Sequence, residues 1–104
     1  MSTEATHPRH EIDEHLSSPV RLSIIATLAK VGDAEFQVVR DAIELSDSVL
    51  SKQVSLLEAV GYVEVRKGYV GKRPRTWLSA TALGRQALVK HISALRAITA
   101  GIDA

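Results

Sequence analysis

The chain of 104 residues has no cysteine. Disulfides, thiolate metal sites, thiol catalysis and thiol redox sensing are excluded together, and a reducing cytoplasm is the expected setting. Aromatics are few: one Trp, two Tyr and one Phe. No apolar run approaches the ~18 residues of a membrane span. The opening stretch MSTEATHPRH lacks the apolar segment of a secretory signal, so neither membrane insertion nor export is expected. Gly-rich phosphate loops, nucleophile elbows and paired carboxylates are missing too. With a length that suits one domain and leaves little room for a pocket, no enzyme and no cofactor are expected.

Acid is absent from most of one half. Residues 65–102 carry eight Lys/Arg (Arg66, Lys67, Lys72, Arg73, Arg75, Arg85, Lys90, Arg96) and no Asp or Glu. Residues 1–64 hold five Lys/Arg and eleven Asp/Glu. The net charge of +1 therefore conceals a basic half joined to an acidic one, which suggests a local patch for a polyanion. Taken alone, a solvated basic face explains the asymmetry equally well.

What is present reads as four helices and a hairpin. Residues 1–11 are polar and predict a loose arm, with a short leading turn between His10 and Leu16. Ser18-Pro19 pairs an N-cap with a first-turn proline. The helix that follows should run to Val31 and stop at Gly32-Asp33, with Val20, Leu22, Ile24, Ile25, Leu28 and Val31 inward. Ala34-Glu35-Phe36 is an extended link. A second helix over 37–43 turns Val38, Val39, Ala42 and Ile43 inward. A turn at Leu45-Ser46-Asp47 leads, through a Ser46 or Asp47 cap, to a third helix ending near Val60. Two helices this close have helix-turn-helix spacing. From Tyr62 to Arg66 the hydrophobic period falls to two, marking a strand. Lys67 to Pro74, with two glycines and a proline, reads as a hairpin loop, and 75–79 as the returning strand. Thr81 caps a last helix able to reach Ile102.

On a wheel of about 100° per residue, Val49, Leu50, Val54, Leu56, Leu57 and Val60 share one arc of the third helix. Ser48, Ser51, Lys52, Ser55, Glu58 and Ala59 share another. A small face of this kind can approach a groove floor, where hydroxyls and Lys52 can meet base edges and phosphates. A solvated Ser-rich face is the plain alternative. Lys67, Lys72, Arg73 and Arg75 flank a Gly/Pro loop suited to phosphates or to a narrow minor groove.

The stretch 48–63, Ser48-Val49-Leu50-Ser51-Lys52-Gln53-Val54-Ser55-Leu56-Leu57-Glu58-Ala59-Val60-Gly61-Tyr62-Val63, resembles the recognition helix and first wing strand of the MarR and ArsR winged-helix superfamily. Ser18 to Ile25 resembles its opening helix. Ala80-Thr81-Ala82-Leu83-Gly84-Arg85 resembles the segment after the wing, with Ala80 where leucine is usual. The resemblance spans roughly residues 12–95 and is closest to short MarR-like regulators. It implies a mainly α fold with a small β-hairpin (α+β), a winged helix-turn-helix over 12–80 and a long C-terminal dimerisation helix over 81–104. It implies major-groove readout through Ser48, Ser51, Lys52 and Ser55, with wing contacts around Arg73.

Gly84, Leu88, His91, Leu95, Ile98 and Ile102 follow alternating spacings of four and three, the pattern of a heptad seam. Pairing with a second copy would cover it and give a two-fold dimer. Folding back on the chain's own core is the alternative. His91 is then either a buried, hydrogen-bonded histidine or half of a symmetric pair sensing pH or metal. Arg21 suggests a buried guanidinium with Glu58 as a candidate partner, phosphate contact being the alternative, and Gln53 is either an edge-of-core residue bonded to backbone or one that reaches past the helix to DNA. His7, His10 and His15 with Asp13 and Glu14 match no strong metal spacing, and no metal is expected. Tyr62 and Trp77 are expected to share a wing face and pack there, with base stacking as the alternative. The expected function is a cytoplasmic transcriptional regulator, a repressor, binding palindromic double-stranded DNA as a homodimer, with an effector of unidentified chemistry left open. A winged helix used only for protein contacts is the alternative.

Overall fold

The computed structural model describes residues 6–102. Its elements are α1 (Pro19–Val31), β1 (Ala34–Glu35), α2 (Phe36–Ile43), α3 (Asp47–Ala59), β2 (Val63–Val70), β3 (Arg73–Ala80) and α4 (Ala82–Ile98). Four helices and one small antiparallel sheet give the expected α+β architecture, mostly helical.

Caps set the helix starts. The hydroxyls of Ser18, Ser46 and Thr81 accept from the backbone N–H of Arg21, Val49 and Gly84, each satisfying a donor that the first turn leaves open. Pro19 occupies the first turn of α1, where its missing N–H costs nothing. Gly32 at φ +76° closes α1. The core gathers Ile24, Ile25 and Leu28 of α1, Val39 of α2, Leu50 and Leu57 of α3, and Leu78 of β3, all fully buried. Val38 and Ala42, expected inward, are exposed. With only eight residues, α2 buries a single stripe through Val39. Val31, Val49 and Leu56 are also more exposed than the wheel suggests, at 59%, 41% and 46%.

The sheet departs from a simple hairpin in two ways. It has three strands in the order β1-β3-β2, because the link at Ala34-Glu35 pairs with Leu78 and Trp77. Its hairpin is also longer than expected. Lys67, Gly68, Tyr69 and Val70 pair with Thr76, Arg75, Pro74 and Arg73, leaving Gly71 and Lys72 as the turn. Gly71 has φ +63°, the positive first position of a type II′ turn, which matches strand twist. Pro74 is tolerated because β1 reaches only Leu78 and Trp77, so β3 has one partner at this point. Gly68 leaves room for Trp77, whose Cζ3 would lie 3.1 Å from an added Cβ.

Pro8–Glu11 forms a 3-10 turn, so this part of the expected loose arm is structured, and Glu14–Leu16 forms a second one where a short leading turn was expected; residues 1–5 lie outside the described chain. Lys90 Nζ of α4 meets Glu11 at 2.8 Å. The pair holds Glu11 below and Lys90 above their ordinary pKa values, chiefly through that hydrogen bond. Asp13 is the hub. Its backbone N–H donates to His91 Nδ1 at 3.0 Å, and its carboxylate accepts from Tyr62 Oη at 2.5 Å and from the His15 N–H at 2.8 Å.

The expected seam on α4 divides. Gly84, Leu88 and His91 face the chain's own core, so His91 is the buried, hydrogen-bonded histidine and not a residue open to a symmetric partner. An added Cβ at Gly84 would meet the Tyr62 carbonyl oxygen at 2.2 Å. The close approach that needs glycine is therefore within one chain. Leu95 and Ile98 are 41% exposed each. Ile102 lies past the end of α4, which stops at Ile98.

Candidate nucleic-acid interface

The helix-turn-helix is braced from α2. Arg40 reaches Asp47 at 2.7 Å and Asp41 at 2.9 Å, and these bonds raise its pKa further above an already high value. Asp47 at the start of α3 is thereby neutralised. Beneath α3, the Arg21 guanidinium donates to the His15 carbonyl at 2.7 Å and to Gln53 Oε1 at 2.9 Å. Glu58 is not its partner. Gln53 has the structural role expected, but toward a side chain rather than the backbone. With the inner face of α3 held in this way, Ser48, Ser51, Lys52 and Ser55 are all left exposed.

Side-chain alternation sorts the wing. Val63, Val65, Lys67 and Tyr69 face the same way as Pro74, Thr76, Leu78 and Ala80 across the ladder. Buried Val63 and Leu78 mark this as the core side. Lys67 therefore stands over α3. Between them runs an open cleft of about 350 Å³ lined by Ser51, Ser55, Glu58, Lys67 and Thr76, with an apolar floor that includes Val54 and Leu78.

Arg73 and Arg75 point to the opposite face, with Arg66 and Trp77. Arg66 stacks over Trp77 at 4.4 Å and reaches Asp33 at 3.2 Å. Arg75 lies 3.8 Å from Glu35 and its Nε is buried without a hydrogen-bond partner. Of the four wing cations expected, Lys72 and Arg73 occupy the tip, Lys67 lines the cleft, and Arg75 is drawn toward β1. Tyr62 and Trp77 do not share a face: Tyr62 packs edge-on against His15 with ring centroids 6.0 Å apart. Neither Thr76 nor Arg40 stands out in the sequence as part of this surface, and Glu58, on the polar arc of α3, lines the cleft and does not pair with Arg21. The period-two pattern could have placed Thr76 beside Lys67 had the strand been extended past Arg66. Among the described residues no three His, Asp or Glu side chains are grouped to hold a metal. No described helix is long and apolar enough to cross a membrane.

Comparison with known proteins places this geometry. An uncharacterised protein of Methanocaldococcus jannaschii is 29% identical over 87 residues, covering 84% of this chain and 95% of that protein. The structure of a transcriptional regulator homologue from Pyrococcus horikoshii OT3 superposes with a TM-score of 0.86 at 29% identity, covering 95% of this chain and all of that one. The transcriptional regulator MOSR of M. tuberculosis, solved in complex with DNA, shares the fold at a TM-score of 0.68 and 18% identity, over 91% of this chain and 71% of its own. A family model described as a winged helix DNA-binding domain matches residues 20–99. With α2 and α3 as its helix-turn-helix and the β2-β3 hairpin that follows them, this chain belongs to the winged helix DNA-binding domain family.

Proposed function

We propose that this winged-helix chain is a sequence-specific transcriptional repressor that binds a palindromic operator as a homodimer. The observation that carries the reading is the face of α3 formed by Ser48, Ser51, Lys52 and Ser55, exposed beside a cationic wing. Small hydroxyls let the helix backbone come close to base edges, and Lys52 offers a reach to guanine or to phosphate. Lys72 and Arg73 at the wing tip then meet the backbone or the minor groove. Leu95 and Ile98, half-exposed at the end of α4, support pairing with a second copy, which places two recognition helices about one DNA turn apart. Repression needs only occupancy of the DNA and no further surface.

Duplex selection from a random pool, followed by titration across salt, tests this. The selected sites should be palindromic. Lys52→Ala and Arg73→Ala should each weaken binding and lower the salt slope by about one. Equal binding of selected and competitor duplexes would contradict specific recognition. In that case the winged helix would serve protein contacts alone.

A further inference from the structure

The cleft between α3 and the wing has a consequence for how DNA is held. If α3 enters a major groove and the wing tip the adjacent minor groove, the sugar-phosphate strand separating them must cross the space between the two elements. That space is the cleft, so its lining decides how a phosphate is received.

The donors are unequal. Ser55 Oγ donates to the Ser51 carbonyl at 3.0 Å, so its only hydroxyl hydrogen is spent within the helix. The hydroxyls of Ser51 and Thr76 and the ammonium of Lys67 make no side-chain hydrogen bond or ion pair with any described residue. Three free donors, one on α3 and two on the wing, thus line one cleft. Glu58 lines it as well, exposed and without a cation within ion-pair distance among the described residues. Asp47, at the other end of the same helix, is neutralised by Arg40. The cleft therefore offers donors to an anion beside one uncompensated carboxylate.

We propose that this cleft is the seat of a single backbone phosphate, held by Thr76, Lys67 and Ser51, and that Glu58 limits its grip. Thr76 and Lys67 fix the wing relative to the strand. Glu58, close to the C-terminal end of α3 and away from the base-reading end, opposes any phosphate in the seat. It thereby holds down affinity for duplexes of every sequence, leaving discrimination to the base contacts. This rests on the DNA-binding reading above.

The test uses the full chain, a selected duplex and a random-sequence duplex. Thr76→Val, which keeps shape and removes the hydroxyl, should weaken both by about three- to tenfold with an unchanged Tm. Lys67→Gln should lower the salt slope by about one. Glu58→Gln should tighten both duplexes on the order of three- to tenfold at low salt, and less as salt screens the charge. Glu64→Gln, the same change on the opposite face of β2, should stay within about twofold of wild type. A methylphosphonate scan should find one position per half-site where the Glu58→Gln gain disappears, because the opposing charge is gone. Wild-type binding of duplex with no response to Thr76→Val or Glu58→Gln would overturn the seat alone and leave the cleft to a small-molecule occupant. Absence of duplex binding by the wild type would overturn both readings.

Discussion

Single positions do work here that their residue types do not announce. Gly84 sits where α4 begins against the backbone of Tyr62, and an added Cβ would fall 2.2 Å from the Tyr62 oxygen. Backbone must shift to admit it, so Gly84→Ala should cost about 1–3 kcal/mol in denaturant unfolding, despite alanine's better helix propensity. The 84, 88, 91 spacing was legible as a special helix face. Which backbone lay opposite was not, because a heptad pattern is the same whether the partner is a second copy or the chain itself. Asp13 gives a second case. Burial, then its hydrogen bond to Asp13, push the Tyr62 phenol up to about 12. Folding thus favours the neutral phenol. Its contribution is complete below pH 10 and fades as pH rises through about 12. Tyr62→Phe should lower stability at pH 8 by about 1–2 kcal/mol, with the gap to wild type narrowing above pH 10. A constant gap from pH 8 to 12 would show that the hydroxyl bond is not responsible.

At the scale of elements, helix starts and the helix-turn-helix were legible because caps and turns are local: Ser18-Pro19, Ser46 and Thr81 mark their helices in sequence as in structure. The wing was only half legible. Gly68 and Pro74 look like loop residues, yet one makes room for Trp77 and the other sits where β3 has a single partner. β1, two residues long, is held by its pairing with β3 and by buried Ala34, and is too short to have a periodicity to detect. The division of α4 gives a test with opposite outcomes. Leu88, 7% exposed in the core, should cost about 2–5 kcal/mol of stability as Leu88→Ala. Ile98→Glu should leave the unfolding of the monomer nearly unchanged and abolish the proposed self-association in sedimentation. Loss of the fold in both variants would assign the whole helix to the core. In the wing, Arg73→Ala should weaken duplex binding more than Arg75→Ala, because Arg75 already faces Glu35.

For the whole molecule, charge and shape converge. The acid-free half supplies wing and α4, while the acidic half supplies the helical core, and much of its acid is tied up. Asp41 and Asp47 pair with Arg40, Asp33 with Arg66, and Glu11 with Lys90. Pairing these acids leaves Lys52, Lys67 and Lys72 without an ion-pair partner among the described residues near α3 and the wing, so a protein of net charge +1 can still present a cationic face. That face was legible in outline from the sign asymmetry. The cleft was not, since it depends on how the hairpin stands over α3. The most direct test is competitive binding of the intact chain to a selected duplex against random duplex, at salt from 50 to 200 mM, a range over which several phosphate contacts should reduce affinity by about 10³-fold or more. Preference for the selected palindrome, with a steep salt slope that Lys52→Ala and Arg73→Ala each reduce, is the expected result. No preference over competitor, or a slope unchanged in both variants, would contradict the assignment of α3 and the wing as the DNA-binding surface.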